Sequence, residues 1–111
     1  MVKKVFYVEK EKFLRSMMEL ALRAKKAEIY TVETLNENFY LIDDLKPDLV
    51  IFDLDQNPAD LEKLYEYSNH VRLVASGPAG SENSLDSRVT GFLPKPIIAH
   101  NLAERVLSLI D

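Results

Sequence analysis

The chain has 111 residues, 47% of them hydrophobic and 29% charged, with a net charge of −4 and no cysteine. That length suits one domain with a single core, and the acidic balance argues against an electrostatic nucleic-acid footprint. Lacking cysteine, the chain has neither a disulfide framework nor a thiolate metal site, and its apolar run Val5–Val8 is far too short for a leader or a membrane span, so a cytoplasmic protein is expected.

In chain order, "KKVFYVE" is a short β-branched and aromatic run ending at Glu9 and predicts a buried strand. Residues 12–26 place Phe13, Met17, Leu20, Ala21 and Ala24 on one stripe and predict an amphipathic helix, with Met17 and Met18 as core filler. "EIYTVE", 28–33, is a second strand. Residues 36–45 predict a short helix that stops before Pro47. "DLVIFD", 48–53, is the third strand, and residues 59–67 behind Pro58 predict a helix, with Tyr65 and Tyr67 on its face and end. "VRLVAS", 71–76, is the fourth strand; 77–87 is a small, polar loop with at most one helical turn. "GFLP" is a brief fifth strand, and 98–110 predicts a closing helix. His70 and His100 have no partner at metal-ligand spacing and are expected at the surface or in capping roles.

Strands alternating with helices predict an α/β fold: a doubly wound, five-stranded parallel sheet of order 2-1-3-4-5 with right-handed crossovers. The central strands are apolar throughout rather than alternating, as burial on both faces requires. In such a sheet, ligands bind at the carboxyl ends of the strands. There the sequence places Glu9 after the first strand, Asp53 at the end of the third, Ser76 at the end of the fourth and Lys95 just past the fifth. This explains why four apolar residues, Leu49 to Phe52, run straight into Asp53, a carboxylate that is costly to bury unpaired. Asp53 is expected at the mouth of the core, with Lys95 beside it.

Taken together, "KKVFYVEKEKFLR", "KPDLVIFDLD", "LVASG" and "GFLPKPI" resemble the receiver domain of two-component response regulators over the whole chain. The resemblance implies a flavodoxin-like fold and a single receiver domain, 1–111, that acts as a phosphoprotein in phosphorelay signalling rather than as an enzyme. It implies Asp53 as phosphoacceptor, Ser76 as the hydroxyl that contacts the phosphoryl group and Lys95 as its cation. Phe92 would be the aromatic switch position and Lys95-Pro96 a cis peptide. A Mg²⁺ ion would be held by Glu9, Asp53 and the backbone carbonyl of Asp55. The implied partners are a sensor histidine kinase or phosphotransfer protein and a downstream protein target, with neither nucleic acid nor membrane, and a homodimer through the usual signalling face. No output domain follows Ile110 in this sequence, so the expected action is through partner proteins.

The sequence departs from the family pattern at several points. The acidic pair after the first strand is here Glu9-Lys10, so an ammonium stands where the direct metal ligand belongs. That moves the local charge by two units, and a pair about 4 Å apart attracts by roughly 4 kcal/mol at an effective dielectric of 20. Either Lys10 pairs with Asp53 and replaces the cation, or it swings outward and Glu9 recruits a weaker Mg²⁺. The first outcome defines an alternative, a phosphorylation-independent pseudo-receiver built on a Lys10–Asp53 ion pair. The turn from Asp53 to Pro58 holds one residue more than usual, the fourth helix looks truncated, and Ile98 stands where the last helix normally has a cap. A remote alternative is a haloacid-dehalogenase-type phosphatase with Asp53 as nucleophile and Asp55 as general acid. It is disfavoured by two preceding βα units, by Gln56-Asn57 after the motif and by the lack of later paired acids.

Overall fold

Five short strands carry the architecture: β1 Lys4–Val8, β2 Glu28–Val32, β3 Leu49–Asp53, β4 Arg72–Pro78 and β5 Gly91–Lys95. The computed structural model describes residues 2–110. All four strand pairings are parallel and the order is β2-β1-β3-β4-β5, as expected. The helices are α1 Lys12–Ala24, α2 Tyr40–Leu45, α3 Pro58–Tyr65 and α4 Leu102–Ser108, with 3-10 turns at Glu66–Asn69 and Ser81–Ser84. Among the described residues, no helix is long and apolar enough to cross a membrane.

The sheet separates two apolar layers. Successive side chains on a strand point to opposite faces, so Val5, Tyr7, Leu49 and Ile51 pack on one side with Met18 and Leu22 of α1 and Val106 of α4. Phe6, Val8, Val50 and Phe52 pack on the other with Ile42 of α2 and Leu61 and Leu64 of α3. Every residue of β3 is buried, which is why its sequence is apolar without alternation until Asp53.

Three expectations about the helices are corrected. Phe13 and Leu20, assigned to the core stripe of α1, are each 73% exposed; the buried positions are Met18 and Leu22. Both stripes have helical period, and polar tethers select between them. The Arg15 guanidinium donates to the Glu9 and Lys10 carbonyls at 2.7 and 3.0 Å, and Thr31 donates to Glu19 at 2.9 Å. These anchor one side of α1 to the sheet rim and turn Leu14, Met18 and Leu22 inward. The second helix begins at Tyr40 rather than at residue 36. Asn38 Nδ2 bonds the Thr34 and Asn36 carbonyls, and Glu37 has a left-handed φ of 65°, so local side-chain bonding displaces the first turn. The last helix begins at Leu102 rather than 98, because Asn101 is left-handed (φ 53°) and Arg105 holds the carbonyls of Ile98 and His100.

β4 runs two residues past Ser76, and the segment after it contains only the 3-10 turn Ser81–Ser84. The segment is thus the small, polar loop with a single helical turn that its composition predicts, a short irregular strap. Leu85 and Val89 from that strap pack against the core.

Candidate functional site

The carboxyl edge of the sheet gathers the expected residues. Glu9 follows β1, Asp53 ends β3 and stands in register with Ser76 of β4, and Lys95 ends β5. Glu9, Asp53 and Ser76 are buried polar residues at 0%, 2% and 0% exposure. Lys95 spans the two acids: its Nζ lies 2.9 Å from Glu9 Oε1 and 3.3 Å from Asp53 Oδ1. The Lys95-Pro96 peptide is cis. Burial alone would lower the Lys95 pKa, but the hydrogen bond to Glu9 and the charges of Asp53 and Glu9 outweigh it and hold the ammonium above the ordinary lysine value.

The remaining contacts fix each carboxylate. Glu9 Oε1 accepts from the Tyr7 hydroxyl at 3.1 Å and Oε2 from the Glu11 amide at 3.2 Å. Asp53 Oδ1 accepts from the Asp55 amide at 3.0 Å. Ser76 Oγ is the one buried side-chain polar atom among the described residues without a hydrogen-bond partner. Phe92 is half-buried against the α2–α3 side of the core.

Lys10 does not pair with Asp53. Its ammonium donates instead to the Asp55 backbone carbonyl at 2.6 Å, and the ion pair of Asp53 is with Lys95. The reason is geometric: Arg15 holds the Lys10 carbonyl against the start of α1, and from that anchor the side chain crosses the mouth to the β3–α3 turn. The expected ion pair is therefore replaced by an ion–dipole contact.

That contact decides how the donor set suits a divalent cation. Both Glu9 oxygens and Asp53 Oδ1 are engaged by donors, and the Asp55 carbonyl is taken by an ammonium, which has no lone pair to offer a metal. Among the described residues, no group of three or more acidic or histidine side chains is placed to hold a metal. Lys95 faces both Glu9 and Asp53, and Lys10 places a second ammonium on the Asp55 carbonyl at the mouth of the site. The residues present do not fit Mg²⁺.

Sequence reading missed three contributors. Tyr7 looked like a core aromatic because its hydroxyl partner is set by strand geometry. Arg15 was not among the residues the sequence pattern singled out. Gln56 is 3% exposed and joins two loops, accepting from the Leu35 amide at 3.2 Å and donating to the Glu33 carbonyl at 3.0 Å. The usable signal for Gln56 was its place three residues past a buried strand's end. The phosphatase alternative gains nothing, since Asp55 is exposed and its backbone carbonyl and amide make these contacts.

A doubly wound sheet of order 2-1-3-4-5 with a buried acid pair bridged by a lysine at its carboxyl edge is a flavodoxin-like α/β arrangement, and structural comparison agrees. The backbone is similar to the chemotaxis response regulator CheY4 of Vibrio cholerae (TM-score 0.82, 16% identity, covering 98% of this chain and 99% of that one). It is also similar to a CheY-like response regulator receiver domain protein from Methanospirillum hungatei JF-1 (0.81, 20%, 100% and 95%). The receiver domain of the hybrid histidine kinase CckA matches at 0.74 with 28% identity, covering 97% and 99%. No protein-family model and no curated protein matches the sequence. The fold is that of the CheY-like response-regulator receiver domains.

Proposed function

We propose that the chain is a receiver-type module of two-component signalling that works in the cytoplasm through protein partners, with Lys10 and Lys95 in place of a divalent cation. Receiver-domain neighbours spanning nearly the whole chain support the signalling role. The observation that carries the rest is the 2.6 Å contact of Lys10 Nζ with the Asp55 carbonyl. Lys95 pairs with both acids, and Lys10 occupies the backbone carbonyl that a cation would need. By resemblance, the upstream partner is a histidine kinase or phosphotransfer protein and the downstream one a protein target.

A specific observation favours a second reading, in which Asp53 still accepts a phosphoryl group. Among the described residues, the hydrogen bonds and ion pair of Asp53 fall on Oδ1, and the unpartnered Ser76 hydroxyl sits on the next strand in register. In that reading Oδ2 attacks phosphorus as the phosphorus–nitrogen bond of a ring-protonated phosphohistidine breaks, the electron pair returns to nitrogen and the imidazole departs neutral. Lys95, Lys10 and the Ser76 hydroxyl would meet the charge on the phosphoryl oxygens.

A Mg²⁺ titration followed by NMR, with labelling by a small phosphodonor, separates the two. Wild type is expected to show no saturable Mg²⁺ site and little labelling, whereas Lys10→Asp gains both, and Asp53→Asn abolishes any labelling. Equal Mg²⁺ binding and labelling by wild type and Lys10→Asp would overturn the lysine-balanced reading.

A further inference from the structure

The buried hydroxyl of Tyr7 has no part in the arrangement just proposed, yet it reaches into it. Tyr7 lies in the middle of the sheet, paired with Thr31 of β2 and Ile51 of β3, and its side chain is fully buried among Val5, Met18 and Ile51. An apolar residue would fill that space without an oxygen. Because residues two apart on a strand share a face, Tyr7 and Glu9 project to the same side. The Tyr7 hydroxyl donates to Glu9 Oε1 at 3.1 Å, on the same oxygen that holds Lys95 at 2.9 Å. With Oε2 bound to the Glu11 amide, the carboxylate is held from both ends.

We propose that Tyr7 is a positioning residue: its hydroxyl orients Glu9 so that the carboxylate holds the Lys95 ammonium against Asp53. The chain runs Tyr7 Oη, Glu9 Oε1, Lys95 Nζ, Asp53 Oδ1, with successive separations of 3.1, 2.9 and 3.3 Å. The lysine is thus placed from inside the core rather than by whatever arrives at the mouth. The assignment rests on reading Lys95 and Asp53 as site residues, but not on the role given to Lys10. Charged groups facing this chain are Glu9 and Asp53 on Lys95, with Arg15 opposing them near Tyr7.

The test is Tyr7→Phe, which keeps the ring and removes only the oxygen. Lysine acylation is followed residue by residue by mass spectrometry in chelator, so that no metal enters. Lys95 should react about tenfold faster in the variant, the scale of one hydrogen bond to a charged group. Lys4 bonds the Leu45 carbonyl at 2.8 Å at the far end of the sheet and reports general loosening, so its rate should not change. Glu9→Gln should release Lys95 by itself, and adding Tyr7→Phe to it should accelerate Lys95 no further. If Lys95 keeps its wild-type rate in Tyr7→Phe, if Lys4 speeds up equally, or if the two substitutions simply add, Tyr7 is only core packing and the proposal fails. Mg²⁺ binding by wild type would sink the lysine-balanced reading while leaving this outcome intact.

Discussion

At position 10 an ammonium in place of a carboxylate moves the local charge by two units, and the side chain is long enough to cross to the Asp55 carbonyl. A lysine anchored that way acts on the β3–α3 turn rather than on Asp53, which leaves Lys95 as the partner of the acid pair. Ser76 shows the complementary case. A buried hydroxyl with no partner costs about 1–3 kcal/mol. Ser76→Ala removes that cost along with the oxygen, so the variant should be as stable as wild type or more stable, by up to about 1 kcal/mol, in chemical denaturation. A clear loss of stability would mean that the hydroxyl is satisfied in solution and is not held in reserve for a ligand.

Among the elements, the strap between β4 and β5 departs furthest from the helix a receiver domain carries there. Its residues are polar and small, too poor in apolar positions to cover the sheet as a helix would. Arg88 fastens it instead. Its guanidinium pairs with Asp86 at 2.9 Å and Glu62 of α3 at 3.8 Å, and its carbon lies 5.2 Å from the Tyr65 ring centre. The hydrogen bonds from Arg88 push the Asp86 carboxyl down to about 2. Contacts this exposed stabilise a segment more than a fold. Arg88→Ala should raise amide exchange between residues 82 and 89 while leaving the global unfolding midpoint nearly unchanged. Unaltered exchange there would show that Leu85 and Val89 hold the strap alone. A folded-state pKa below the unfolded value of 3.8 means that the Asp86 contribution is present above that value and lost as pH falls through about 2.

For the whole molecule, Lys95 and Tyr7, two raised groups at the centre and edge of the sheet, contribute to an alkaline limit. Burial, then the charge and hydrogen bond of Glu9, push the Tyr7 hydroxyl far above its usual 10.0, and Lys95 is held above 10.5. In both cases the folded state keeps its proton more tightly than the unfolded chain does. Their stabilisation is therefore complete below about pH 10 and is lost as pH climbs toward the raised folded values. Thermal midpoints measured from pH 8 to 12 should fall steeply above 10 in wild type and more gently in Tyr7→Phe, which has no phenol to titrate there. Identical slopes for the two proteins would remove Tyr7 from the account.

Much of this was determined by the sequence alone. Apolar, β-branched runs separated by helical periods specify a parallel sheet whatever the details, because each run must be buried on both faces. The polar residue that ends each run then has only the sheet's carboxyl edge to occupy, so Glu9, Asp53, Ser76 and Lys95 could be placed together before any coordinates. Direction and reach were decided only in three dimensions. Phe13 and Leu20 have the same period as Met18 and Leu22, and only the tethers of Arg15 and Glu19 choose which stripe goes inward. Lys10 attracts to any nearby negative atom, and the turn that anchors it selects the Asp55 carbonyl over the Asp53 carboxylate. Tyr7 reads as a core aromatic until the strand pleat puts its hydroxyl on Glu9. Periodicity and charge act along the chain and are legible there, whereas a hydrogen bond depends on ångström distances and angles that only the packed structure supplies.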